Sequence, residues 1–165
     1  MAKTAKKPKY RLARIVPIGL TLVAVAGIGL YRWSETTTAK AGALFLPDDA
    51  QIVARGKAVY GDFCASCHGE NLEGQVNWRE RGSDGLLPAP PHDQTGHTWH
   101  HTDDVLFGIT KYGVGKFAGL DDYKSSMQPF EGVLSDDNII AVLSYVKSRW
   151  PGEVRRRHDQ MNAQK

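Results

Sequence analysis

Residues 56–68 read Gly-Lys-Ala-Val-Tyr-Gly-Asp-Phe-Cys-Ala-Ser-Cys-His, and the last five of them decide how the rest of the chain is read. Cys64 and Cys67 stand three apart, so on a helical turn their sulfurs share one face. Each can then form a thioether with one vinyl group along the same edge of a porphyrin. His68 follows at once and can turn its imidazole onto the iron. This pattern is a haem c attachment motif, and it is more specific than a bare Cys-x-x-Cys because the adjoining histidine supplies the iron ligand. The chain has two cysteines in all, which limits it to one such haem and excludes a four-cysteine zinc site. The competing reading is a Cys64–Cys67 redox pair or disulfide beside an incidental histidine. That reading lacks the strand and βαβ context of a thioredoxin-like motif.

Working towards the N-terminus, Val53, Gly56, Tyr60 and Phe63 recur at spacings of three and four, one face of an amphipathic helix that runs into the cysteines. Pro47-Asp48-Asp49 starts it, with acids placed to suit the N-terminal dipole. A glycine on that face lets a second helix approach closely. Before it, residues 34–46 have no sustained period and read as a tether, whose extended reach is about 40 Å at most.

Residues 15–31 hold no charge and are flanked by Arg14 and Arg32. A helix of that length spans about 25 Å, the short end of what crosses a bilayer, and Tyr31 and Trp33 suit an interface. Residues 1–33 hold seven bases and no acid, which puts the N-terminus in the cytoplasm. A cleaved signal peptide is the alternative, with Ala39-Lys40-Ala41 in the small-x-small form; the length of the apolar run favours an uncleaved anchor. Either way the domain that follows is exported, to the periplasm in a Gram-negative cell. The chain beyond residue 33 has 14 basic and 18 acidic residues. The basic overall balance therefore belongs to the N-terminal segment and does not point to nucleic acid.

Towards the C-terminus, residues 69–101 are rich in Gly, Pro and His and read as loop, and Thr102 or Asp103 starts a short helix that ends at Gly113. Leu134-Ser135-Asp136-Asp137 begins another, with Ser135 as N-cap. Its stripe of Ile139, Val142, Leu143, Tyr145, Val146 and Trp150 is a core face, and it stops at Pro151-Gly152. The pieces give four parts: 1–33 basic terminus and anchor, 34–47 tether, 48–150 haem domain, 151–165 charged tail. A core of about 100 residues is marginal in apolar burial, and the macrocycle supplies internal apolar surface.

Met127 is the candidate sixth ligand. It is the one methionine between the initiator and the C-terminal tail, it follows a glycine-rich stretch, and Pro129 stiffens the loop behind it. A thioether favours reduced iron and raises the potential. The plain alternative is a gap-filling core methionine, and Met161 in the tail is a weaker rival ligand.

Gly56-x-x-x-Tyr60-x-x-x-Cys64-x-x-Cys67-His68, a methionine 59 residues after the histidine and a C-terminal amphipathic helix together resemble the class I c-type cytochromes, mono-haem and membrane-anchored in the bacterial manner. The resemblance covers residues 50–150. It implies an all-α cytochrome c fold around one covalently bound haem, preceded here by an N-terminal transmembrane helix, with the first and last helices crossing so that Gly56 and Tyr60 meet Val142 and Tyr145. It also implies that a proline carbonyl, of Pro90 or Pro91, accepts the His68 Nδ1–H. The sequence departs from the family in a longer loop after His68, in Met-Gln-Pro where Met-Pro is usual, and in the histidine-rich stretch Pro90-Pro91-His92-Asp93-Gln94-Thr95-Gly96-His97-Thr98-Trp99-His100-His101.

For that stretch the preferred reading is a polar loop over the haem edge, or one whose His92, His97, His100 and His101 hydrogen-bond the haem propionates together with Trp99, Trp78 or Arg79. An alternative axial ligand and a second metal site are the others. The function implied is one-electron transfer in a respiratory or related chain, without an enzyme activity of its own. Iron held by His68 and Met127 cycles between Fe(III) and Fe(II) on the outer face of the cytoplasmic membrane. The partners implied are a terminal oxidase, a bc-type complex or a dehydrogenase. A gas-binding or peroxide-reactive haem with an open sixth position, or a copper-handling role for the histidines, is the runner-up.

Overall fold

The computed structural model describes residues 43–120 and 122–164. Every regular element among them is helical: α1 Ala50–Phe63, α2 Ala65–His68, a 3₁₀ turn at Thr98–His100, α3 Asp103–Tyr112, α4 Val114–Ala118, α5 Asp136–Ser148 and α6 Gly152–Asn162. The apolar run at residues 15–31, expected as the anchor, lies outside the described residues. Among the described residues no helix is long and apolar enough to cross a membrane.

Local chemistry explains where the main helices begin. Asp49 caps α1, its Oδ1 accepting from the amides of Gln51 (2.9 Å) and Ile52 (3.0 Å). Ser135 caps α5, with its hydroxyl accepting from the Asn138 amide, and Asp136 and Asp137 follow in the first turn, where the dipole favours negative charge. α3 carries Asp103 and Asp104 at its start and ends at Gly113, whose φ of 80° suits a residue without Cβ.

Packing of α1 on α5 is the centre of the molecule. A Cβ on Gly56 would lie 1.9 Å from the Ala141 carbonyl oxygen and 2.9 Å from the Tyr145 Cβ, so only glycine lets the two backbones approach this closely. One turn on, the Tyr60 and Tyr145 rings meet at 5.5 Å, tilted by 54°. All six positions of the expected α5 stripe are buried, Ile139, Val142, Leu143, Tyr145, Val146 and Trp150, and they join Val59, Tyr60, Leu72, Leu106, Phe130 and Leu134 in one core. Gly56 and Tyr60 thus both meet Tyr145, as the resemblance implies, and Ala141 faces the glycine as well.

Three segments differ from the sequence expectations. Residues 44–46, read as part of a tether, are pinned: Phe45 is buried, the amides of Leu44 and Phe45 donate to Asp103 Oδ2 (2.9 and 3.2 Å), and the Leu46 amide donates to Ser144 Oγ. The glycine-rich stretch after α3 makes the extra turn α4, because Phe117 lays its ring across Gly108 where any Cβ would collide. Within residues 151–165, read as a charged tail, Gly152–Asn162 form α6, which buries Val154, His158 and Asn162 at spacings of four. Pro151 stops α5 by removing an amide donor, yet it stands just before the first turn of α6, where a missing donor costs nothing.

Candidate functional site

Cys64 closes α1 and opens α2, its carbonyl accepting from the amides of Cys67 (3.1 Å) and His68 (2.9 Å). The single turn that results places both sulfurs and the imidazole at one place. Both cysteines are free thiols, Cys64 half-buried and Cys67 exposed. Burial, helped by neighbouring Cys67, pushes the Cys64 thiol up to about 11, so near neutral pH it is a thiol and a weak nucleophile.

His68 is buried, and its Nδ1 lies 2.8 Å from the Pro90 carbonyl oxygen. The carbonyl can only accept, so the proton sits on Nδ1 and Nε2 is left with its lone pair for a metal. Burial lowers the imidazole below its ordinary value, with the Pro90 bond acting in the opposite sense, and the neutral ring is the form that ligates. The end of α2 is held in turn by Tyr60, whose buried hydroxyl donates to the Gly69 carbonyl at 2.8 Å. Gly69 itself has φ of 81°, which lets the chain leave the turn towards Leu72.

Other predicted residues lie along the margin of the core. Met127 sits in the loop between α4 and α5, half-buried, its side chain packed against the core that Cys64, Ala65 and Trp99 also flank. Its amide donates to Ser125 Oγ at 3.0 Å. The loop is brought back to α3 by the amides of Phe130 and Glu131, which donate to the Thr110 and Lys111 carbonyls. Trp99 stacks on His100 with centroids 3.7 Å apart and spends its indole N–H on the Gln94 carbonyl. Pro90 supplies the carbonyl to His68, while Pro91 O accepts from the Thr98 hydroxyl.

The histidine-rich stretch does not act as one cluster. His97 lies against Trp78 and edge-on to His101, both at 5.5 Å, and Arg79 covers the other part of the Trp78 stack at 3.9 Å. Burial comes first in lowering His97 and His101, followed by repulsion from the neighbouring imidazoles. Among the described residues no three His, Cys, Asp or Glu side chains converge as ligands for a metal ion. His92 stacks on His68 with centroids 3.9 Å apart. Nothing in the sequence distinguishes His92 from its neighbours, because the separation is made by the Leu72 and Trp150 contacts across the fold.

A set of two free thiols and one imidazole with an open Nε2 on a single turn fits a covalently attached haem. Cys64 and Cys67 would hold its edge and His68 its iron. The comparisons with known proteins agree with that chemistry. A family model described as Cytochrome c matches residues 53–150. The FixP subunit of a cbb3-type cytochrome c oxidase from Bradyrhizobium diazoefficiens is 30% identical over 97 residues, 58% of this chain and 29% of that protein. The chain thus spans under a third of the length of this relative. No solved structure matches.

Proposed function

From the premise that this chain belongs to the cytochrome c family and carries haem c through Cys64 and Cys67, we propose that it is a membrane-tethered one-electron carrier in which His68 and Met127 are the axial ligands. The observation that carries the reading is the Pro90 carbonyl on His68 Nδ1 at 2.8 Å, which fixes the tautomer and aims Nε2 at a metal. When bound, haem supplies reversible Fe(III)/Fe(II) chemistry. The chain's own residues would do the rest: Cys64 and Cys67 would hold the haem through thioethers, His68 would ligate its iron, and the Met127 thioether would raise the potential. Cys67 is exposed, so the attached edge lies where a partner protein can approach it.

Residues 15–31 anchor the chain in the cytoplasmic membrane with the basic terminus inside and the haem domain outside, in the periplasm of a Gram-negative cell. The similar FixP protein is a subunit of a cbb3-type oxidase, which favours a terminal oxidase as the partner, with this chain as its haem subunit or as a tethered shuttle to it. The formal charge of −4 beyond residue 33 suits a basic docking surface and weakens docking as salt rises.

The test is the optical spectrum of the haem-loaded protein. The expected result is a far-red sulfur-to-iron band in the ferric form that vanishes in Met127→Ala, together with poor binding of carbon monoxide by the reduced wild type. A ferric spectrum without that band, with ready carbon monoxide binding, removes Met127 as the ligand and the carrier reading with it.

A further inference from the structure

His92 is the histidine of the histidine-rich stretch that stacks on His68. Its ring lies on the face of the His68 ring, centroids 3.9 Å apart and planes 21° from parallel. Its backbone is tied on both sides: the amide donates to Leu72 O (2.8 Å), and the carbonyl accepts the Trp150 indole N–H (2.7 Å). Its Nδ1 lies 2.8 Å from Thr98 Oγ1, and that hydroxyl donates to Pro91 O at 3.4 Å, so the hydroxyl oxygen is free to accept the Nδ1–H of His92. Two contacts fix the backbone of His92 and one fixes its ring, and the partners Leu72, Trp150 and Thr98 are all buried.

The Pro90 bond fixes one atom of the His68 ring and leaves the ring free to rock about the Nδ1···O line. A flat group on the ring face removes that freedom. From this geometry we infer that His92 is a positioning residue for His68, setting the plane in which the imidazole meets the iron. The plane of an axial imidazole determines how its π orbitals overlap the iron d orbitals. It therefore shapes the distribution of unpaired spin over the ferric haem, as partners of a metal ligand do in general. The inference rests on the reading of His68 as the ligand.

The experiment is proton NMR of the ferric, haem-loaded full chain, following the hyperfine-shifted haem methyl resonances, with the midpoint potential measured on the same samples. His92→Leu, which keeps bulk and removes the ring, is expected to redistribute the methyl shifts and move the potential while the iron stays low-spin. His92→Phe, which restores a flat face, is expected to return the methyl pattern most of the way to wild type. Thr98→Val removes the Nδ1 partner alone and is expected to move the pattern in the same direction by less; it carries the test if His92→Leu fails to load haem. Wild-type methyl shifts and potential in the loaded His92 and Thr98 variants overturn the inference. A His68→Ala protein that keeps the low-spin ferric spectrum overturns the ligand reading instead, so the two failures are separable.

Discussion

At the scale of single residues, the side chains that matter are those whose protons are placed by burial. His158 is fully buried on α6, its Nε2 2.9 Å from the His101 carbonyl. Burial first and the Lys147 ammonium second hold it below its ordinary value of 6.5, while Asp103, the His101 bond and Asp159 pull the other way. The unfolded chain therefore takes up a proton below 6.5 that the folded chain refuses. Stability is present above 6.5 and is lost as pH falls from there towards the depressed folded value, by at most about 1.4 kcal/mol per pH unit for each such histidine. His97 and His101 shift in the same direction, so the wild-type slope is shared. Urea unfolding of haem-loaded His158→Gln, which keeps a neutral donor for the carbonyl, should show a shallower fall between pH 6.5 and 5 than wild type. An identical slope would assign the loss to the other histidines.

At the scale of elements, one crossing carries the molecule. Gly56 on α1 faces backbone of α5, and the atoms a methyl group would meet, the Ala141 carbonyl oxygen and carbon, cannot swing aside as a side chain would. Gly56→Ala must separate the helices. Overpacking costs about 1–3 kcal/mol in ordinary cores and occasionally more, and the 1.9 Å approach puts this site at the upper end, near 3 kcal/mol. The urea midpoint should fall accordingly, and a variant within 1 kcal/mol of wild type would mean that the crossing relaxes easily. Because α1 also carries Tyr60, whose hydroxyl holds the Gly69 carbonyl, the same substitution is expected to broaden the His68 environment.

At the scale of the whole molecule, a buried charge network joins the two ends of the described chain. Asp103 is fully buried and receives the amides of Leu44 and Phe45 on one oxygen and Asn162 Nδ2 on the other. Lys147, also buried, lies 2.9 Å from Asp159 and 3.6 Å from Asp103. The network clasps the segment that leads into α1, the start of α3 and the last helix. Removing one member of a buried pair leaves an uncompensated charge and costs about 3–5 kcal/mol. Asp103→Ala should lose that much, and hydrogen exchange at the Leu44 and Phe45 amides should accelerate towards the unprotected rate. Unchanged protection of those two amides would show that the clasp is incidental.

Much of this protein is legible in residue order, because its decisive features are local. Cys64, Cys67 and His68 lie within five residues, the caps Asp49 and Ser135 act on amides two or three positions away, and the α5 stripe follows helical periodicity. Local geometry suffices for each of these, and so the haem turn and the main helices appear in the sequence. The rest depends on groups distant along the chain. His92 is one of four similar histidines until Leu72 and Trp150 hold it against His68. Residues 44–46 look like tether until the Asp103 carboxylate, 59 and 58 positions after Leu44 and Phe45, accepts those two amides and the Ser144 hydroxyl accepts that of Leu46. Residues 152–162 look like a charged tail because three consecutive arginines hide a sparse buried face of Val154, His158 and Asn162, and most of what fixes that face is polar and distant, the His101 carbonyl and Asp103. Hydrophobic periodicity reports helices that bury apolar surface. A helix docked through hydrogen bonds and a buried lysine leaves no such signal, and only the assembled fold brings its partners within reach.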